Sequence, residues 1–117
     1  MMFAYIVNDD LKMDKGKIAA QVSHGAIGLM QLSESKYPSL KTWRQDSSSS
    51  GSKAVVCKAD AETLARLREE ADWENLPMYQ VVDAGRTQVA AGSETVLAIG
   101  PASPKRLEPL IKGLKLL

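Results

Sequence analysis

Four short apolar runs, each bounded by polar residues or by glycine and proline, stand out along the chain and predict four β-strands. The first run is the most uniformly apolar and ends in Asn-Asp-Asp, which is typical of a strand leading into a turn. The second contains Ala-Val-Val-Cys, and the fourth is closed by Gly-Pro. The predicted strands cover residues 2–7, 53–59, 77–82 and 95–99.

Stretches with apolar residues three to four positions apart alternate with these runs and predict amphipathic helices. Asp14 is a suitable N-cap for the first helix, and Pro38 suits the first turn of a short second one. In the third, leucine and alanine share one face while Arg and Glu take the others. The predicted helices cover residues 15–32, 37–44 and 61–73, followed by one that begins at Pro104.

The order of these elements, β-α-α-β-α-β-β-α, predicts an α/β fold with three layers, α/β/α. Strands connected through helices are expected to run parallel, whereas the short link between the third and fourth strands requires an antiparallel pair. We therefore expect a mixed, mostly parallel sheet of about four strands, whose strand order does not follow from the sequence. Residues 1–117 form one predicted domain, with a flexible serine-rich loop at about 46–52.

Composition limits the chemistry that the chain can carry. One cysteine, Cys57, and one histidine, His24, exclude an internal disulfide and a Cys/His zinc site within one chain. A nucleophilic Cys57–His24 pair is arithmetically possible but disfavoured, because Cys57 lies in an apolar strand, where thiols are usually inert. The net charge of +1 by itself excludes no class of partner.

The apolar start of the chain, residues 1–7, is shorter than a membrane span and lacks the basic residues that open a signal peptide. No other targeting sequence is visible. We therefore expect a cytoplasmic protein without a membrane partner.

Two polar segments follow predicted strands at the place where α/β sheets usually bind ligands, beyond the carboxyl ends of parallel strands. Lys17 lies at the start of the first helix, where free backbone N–H groups favour anions. Asp83 follows the third strand, and Gly85 permits a tight turn there. If the first and third strands point the same way, Lys17 and Asp83 lie at one edge of the sheet. The first segment is not a P-loop, since Leu11 and Ile18 stand where that motif has a glycine and a Ser or Thr.

The first predicted helix carries one polar stripe on a largely apolar surface. The residues at positions i, i+4, i+7 and i+11 of this stripe are Lys17, Gln21, His24 and Gly28. Such a stripe faces either solvent or a cleft, and the spacing does not choose between them. Asp83 likewise either caps its turn, as aspartates at strand ends commonly do, or accepts a proton from water.

Four blocks of the sequence resemble, in order and spacing, the signatures of the archaeal and eukaryotic type of peptidyl-tRNA hydrolase. They are KMDKGKIAAQVSH at 12–24, DAGRTQVAAGS at 83–93, TVLAIGP at 95–101 and LKLL at 114–117. The resemblance implies a mixed four-stranded sheet between helices. It also implies hydrolysis of the ester joining a nascent peptide to the 3′ ribose of tRNA, without a metal or cofactor. Members of the family are commonly homodimers, which makes a homodimer an expectation here.

The same resemblance assigns roles to individual residues. Asp83 is expected to position or deprotonate the attacking water, and Lys17 to stabilise the tetrahedral oxyanion. The residues expected to orient water and substrate are Gln21, His24 and Thr87.

Basic side chains near the two edge segments are candidates for contacts with the phosphates of tRNA, which would make binding salt-dependent. Beside Lys17, these are Lys12, Lys15 and Arg86, although a solvated mixed-charge surface explains Lys12 and Lys15 equally well. Two other functions fit the same fold: a catalytically silent tRNA-binding module and a protein-interaction adaptor. Multiple turnover distinguishes the hydrolase from both, and salt-dependent tRNA affinity distinguishes the RNA-binding functions from the adaptor.

Overall fold

The computed structural model describes residues 1–46, 51–85 and 90–117. Every predicted strand and helix is present in these residues, with ends shifted by a few positions. The strands are β1 (Met2–Asn8), β2 (Lys53–Ala59), β3 (Met78–Val82), β4 (Glu94–Ala102) and β5 (Lys115–Leu116). The helices are α1 (Lys15–Met30), α2 (Pro38–Gln45), α3 (Ala61–Trp73) and α4 (Pro104–Ile111), with a short 3₁₀ turn at Asp9–Leu11. Most of the predicted serine-rich loop, residues 47–50, lies outside the described part of the chain.

The described strands form one mixed sheet in the order β3-β4-β1-β2-β5. β1 and β2 are parallel, and β4 is antiparallel to both of its neighbours, β1 and β3. β1, β2 and β3 therefore point in one direction, as their helical connections predicted. The expectation of a mostly parallel sheet needs a correction for neighbouring pairs, because β4 and β5 run the other way and leave β1–β2 as the parallel pair.

The sheet carries a separate hydrophobic core on each face, which confirms the three-layer prediction. Side chains alternate along β1, so that Met2, Ala4 and Ile6 enter one core while Phe3, Tyr5 and Val7 enter the other. α3 and α4 cover the first core with residues that include Leu64, Leu67 and Leu107. α1 and α2 cover the second with residues that include Leu29 and Trp43.

Two aspartates fix the starts of the two longest helices. Oδ1 of Asp14 accepts a hydrogen bond from the backbone N–H of Lys17 at 3.0 Å, and Oδ1 of Asp60 accepts one from Thr63 at 2.7 Å. Each satisfies one of the N–H groups that a first helical turn leaves without a partner. The predicted cap at Asp14 is confirmed, and it places Lys17 in the first turn of α1, beside the carboxyl end of β1.

None of the helices in the described ranges is long and apolar enough to cross a membrane.

Candidate active site

Lys17 and Asp83 meet at one edge of the sheet, as the common direction of β1 and β3 predicted. Nζ of Lys17 donates a hydrogen bond to Oδ1 of Asp83, and the two groups form an ion pair. Their side chains are only 12% and 3% exposed, respectively. Lys17 reaches this point from the first turn of α1, and Asp83 is the first residue after β3.

Asp83 is held by several further hydrogen bonds. Oδ2 accepts the backbone N–H of Gly85 at 2.7 Å, and Nε2 of Gln21 lies 3.4 Å from Oδ1. The main chain of Asp83 donates to Ser93 at 2.9 Å and accepts from Gly92 at 3.0 Å. The aspartate therefore caps its turn with one oxygen and faces Lys17 and Gln21 with the other. Gly85 has the positive φ of 79° that the tight turn requires.

Burial of this ion pair is costly, because both charges lose most of their hydration on folding. A well-packed apolar pair would serve stability at least as well. A buried ammonium–carboxylate pair lining a cleft is instead a common feature of functional sites, where a fixed charge acts on a bound ligand. The pair is therefore the leading candidate for the chemical centre of the protein.

The pair opens into a cleft of about 510 Å³ between α1 and β3. The helix side includes the whole predicted stripe, so the stripe faces a cleft: Lys17, Gln21, His24 and Gly28 all line it. Gln21 is buried, whereas His24 is exposed and available to a ligand. The lining residues that complete the cleft are Ile27, Gln31, Tyr79, Val81, Val82 and Ala84.

Sequence reasoning missed Gln31 and Tyr79 in this lining, although both carry a detectable signal. Gln31 continues the α1 stripe three residues beyond Gly28. Tyr79 lies on β3 four residues before Asp83, so the two-residue period of a strand, continued past its end, puts both on the same face. Extending the helical period by one step and the strand period by two would have found them.

Lys12 and Lys15 are exposed but do not line this cleft in the described structure. Nζ of Lys12 forms an ion pair at 3.3 Å with Asp9 and its side chain is 77% exposed. Lys15 borders a different, apolar recess together with Ile18 and Leu117. The two remaining predicted residues, Arg86 and Thr87, lie outside the described residues.

Cys57 is far from the cleft. It is buried in β2, three strands away from β3, which at the usual strand spacing is about 14 Å. Burial raises the pKa of its thiol, which disfavours the reactive thiolate. The structure therefore gives no support to a Cys57–His24 nucleophile pair. Within the described ranges, no three His, Cys, Asp or Glu side chains lie close enough together to hold a metal ion.

Fold and site together define a three-layer α/β protein with a lysine–aspartate pair in a polar cleft at the edge of its sheet. Such a site is suited to proton transfer and to stabilising negative charge on a bound molecule. Across residues 1–117 the chain matches the family described as Peptidyl-tRNA hydrolase PTH2, and it belongs to that family.

Individual relatives extend this result across eukaryotes and archaea. The chain is 42% identical over 113 residues to "Probable peptidyl-tRNA hydrolase 2" of Drosophila melanogaster and to "Peptidyl-tRNA hydrolase 2, mitochondrial" of Homo sapiens. These alignments cover 96% and 95% of this chain but 59% and 61% of the relatives, so the chain spans about three fifths of their length. It is also 39% identical over 114 residues to "Peptidyl-tRNA hydrolase" of Saccharolobus islandicus, an alignment covering 96% of this chain and 95% of the relative.

Proposed function

We propose that the protein hydrolyses the ester bond of peptidyl-tRNA, releasing free tRNA and peptide. The observation that carries the proposal is the contact between Lys17 and Asp83 inside a cleft large enough for the part of the substrate around its ester bond. Membership of the family and the printed names of its relatives supply the substrate class.

The two residues of the ion pair are proposed to have different roles in this reaction. Asp83 accepts a proton from a water molecule, whose oxygen attacks the ester carbonyl carbon. The ammonium group of Lys17 stabilises the negative charge that forms on the carbonyl oxygen. The tetrahedral intermediate then collapses, the bond to the ribose oxygen breaks, and that oxygen takes up the proton held by Asp83 as tRNA leaves.

Polar groups beside the pair are suited to orient the reactants. Gln21 lies against Oδ1 of Asp83 and has an amide that can hold the attacking water. His24 is exposed in the cleft, one helical turn further along. It is proposed to contact the substrate. Thr87 is proposed to contribute a hydroxyl group to the same task.

Lys12, Lys15 and Arg86 are proposed to bind tRNA phosphates outside the cleft. Lys12 and Lys15 are exposed next to the start of α1, the same end of the helix that carries Lys17. Because each neutralised phosphate releases counterions, replacing one of these lysines should lower the dependence of tRNA affinity on salt.

The experiment that tests the proposal measures release of free tRNA from a labelled N-blocked aminoacyl-tRNA, with EDTA present throughout. We expect multiple turnover by the wild-type protein. Asp83→Asn should lower turnover by roughly 10²- to 10⁴-fold, since the carboxylate that accepts the proton is lost. Lys17→Met should cost on the order of 10²- to 10³-fold, through loss of the charge facing the oxyanion.

Matched controls keep the charge change but move it away from the cleft. Asp72→Asn and Lys41→Met alter exposed residues of α3 and α2 and should leave turnover unchanged. Circular dichroism establishes that all four variants are folded. A folded wild type that binds tRNA without releasing product would replace the hydrolase with the silent RNA-binding module. A folded wild type that neither releases product nor binds tRNA in a salt-dependent way would favour the adaptor.

Location and assembly belong to the same proposal. We propose a cytoplasmic protein that forms a homodimer. The reduced thiol of Cys57 fits a reducing compartment but does not separate cytoplasm from mitochondrial matrix, and the human relative is named as mitochondrial. A fluorescent fusion and sedimentation equilibrium test the two statements separately.

A further inference from the structure

Trp73 is the most exposed large hydrophobic side chain in the described part of the protein, with 88% of its surface open to solvent. It is the last residue of α3, and Leu64, Leu67 and Ala71 of that helix pack into the core under the face opposite α1. Trp73 therefore lies on the other side of the sheet from the Lys17–Asp83 cleft. Whatever contacts this tryptophan does not have to enter the cleft.

The surroundings of Trp73 are strongly acidic. A shallow recess of about 560 Å³ beside it is lined by Arg66, Glu69, Glu70, Glu74 and Leu110. Nη1 of Arg66 forms an ion pair with Oε1 of Glu70 at 3.1 Å. Nη2 of Arg106 donates a hydrogen bond to the carbonyl oxygen of Glu74 at 2.6 Å. Within the described residues, Glu69, Asp72 and Glu74 form no ion pair.

The end of α3 adds to this negative potential. Its last turn reads Glu-Ala-Asp-Trp and contains no basic residue. Because the C-terminus of a helix carries partial negative charge, cations are favoured there. Nucleic acid is disfavoured at the same place, since its phosphates would meet several carboxylates.

We propose that Trp73 and the carboxylates beside it bind a Lys- and Arg-rich segment of another protein. The indole face is the best cation–π partner among side chains for a guanidinium or ammonium group. Glu69 and Glu74 supply charge-assisted hydrogen bonds to neighbouring basic residues of the same segment. Leu110 provides an apolar floor for the methylene stems of those side chains. Tryptophan is also one of the residue types that contribute most to binding energy at protein interfaces.

The test uses a fluorescein-labelled peptide of twelve residues in which Arg and Ala alternate, with binding followed by anisotropy. We expect saturable binding that weakens as salt rises. The same peptide with Glu in place of Arg should not bind. Trp73→Ala should weaken binding about fivefold or more, and Glu69→Lys should weaken it further, while hydrolysis of N-blocked aminoacyl-tRNA stays unchanged in both variants.

Glu62→Lys is the matched control, because it reverses one charge on the same helix but at its opposite end. If Glu62→Lys and Glu69→Lys weakened peptide binding equally, or if Trp73→Ala bound as tightly as wild type, the proposed site would be wrong. A loss of tRNA affinity in Trp73→Ala would identify an RNA surface instead. A shift from dimer to monomer in that variant would identify a second copy of the chain as the occupant, and either result overturns the proposal.

Discussion

Gly28 and Tyr79 make a contact across the cleft that depends on the absence of a side chain. The ring of Tyr79 on β3 lies so close to the backbone of α1 that a Cβ atom on Gly28 would overlap it. Both residues line the cleft. Gly28 therefore determines where the aromatic wall of the cleft lies, and the helix accepts a residue of low helical propensity to allow it.

Replacing Gly28 with alanine tests this contact. In the wild-type background, Gly28→Ala should displace the Tyr79 ring, lower stability and alter KM for N-blocked aminoacyl-tRNA. In a Tyr79→Ala background the overlap disappears, so the same substitution should raise the free energy of unfolding by about 1 kcal/mol through helix propensity alone. Urea unfolding of the four proteins gives the coupling energy. Equal effects of Gly28→Ala in both backgrounds would show that the ring does not depend on this glycine.

Part of the candidate site could be predicted from the sequence, because helical spacing and strand direction show which residues lie near one another. Lys17, Gln21 and His24 share a helical face, and Asp83 follows a strand that points the same way as β1. What no spacing reveals is which oxygen of Asp83 faces Lys17 and which caps the turn. Nor could the sequence place Lys15 beside an apolar recess rather than the cleft, because that depends on how α1 is rotated on the sheet.

Among the elements, α1 and α3 begin with the same device, an aspartate N-cap with nearly the same backbone angles. Only the cap of α1 supports a residue of the proposed active site, since Asp14 binds the backbone N–H of Lys17. Both caps are expected to affect the stability of the protein, but only the cap of α1 is expected to affect its activity. Two substitutions of the same chemical kind should therefore have different functional effects.

Asp14→Ala should lower the free energy of unfolding by about 1 kcal/mol and also reduce kcat, because the first turn that carries Lys17 loosens. Asp60→Ala should lower stability without changing kcat. Urea unfolding and tRNA release measure the two effects. If Asp60→Ala reduced kcat as much as Asp14→Ala, loss of stability alone would explain both.

The Asp60 cap also has a pH signature. Hydrogen bonds from the side chain and backbone of Thr63 hold the pKa of Asp60 below its usual value. Its contribution is therefore present above the ordinary carboxyl pKa and is lost as pH falls through the lowered one. The stability difference between wild type and Asp60→Ala should accordingly narrow in acid.

The sequence predicted the existence and type of each main element because helical and strand periods are local. It also predicted strand directions, since a connection through a helix returns the chain to the same end of the sheet. Adjacency is a different matter. β4 inserts between β1 and β3, and β5 pairs with β2, so most neighbouring pairs are antiparallel. The two residues of β5 are also too few to show a period in the sequence. That arrangement depends on long-range packing that no local pattern records.

At the scale of the whole molecule, β5 covers part of one edge strand of the sheet, β2. β5 pairs with β2, and the backbone N–H of Leu117 donates to Val56 at 3.0 Å. An uncovered edge strand offers free hydrogen-bonding groups to other molecules, which promotes aggregation. The side chain of Leu116 is itself exposed, so the tail acts here chiefly through its backbone.

Removal of residues 115–117 should therefore increase aggregation, measured by light scattering during incubation at moderate temperature. Leu116→Ser is the control, because it removes an exposed apolar side chain but keeps the backbone pairs. It should aggregate no faster than wild type. Equal scattering from the truncated and full-length proteins would mean that β2 needs no cover.

The central position of β1 has a consequence for the time at which the domain can form during synthesis. β1 is buried along its whole length, and one of its two neighbours, β4, lies about ninety residues further along the chain. At translation rates of roughly 5–20 residues per second, β1 waits about 5 to 20 seconds before that neighbour exists. During this interval a largely apolar strand lacks one of its two neighbours. The nascent chain is therefore expected to depend on ribosome-associated chaperones until β4 has emerged.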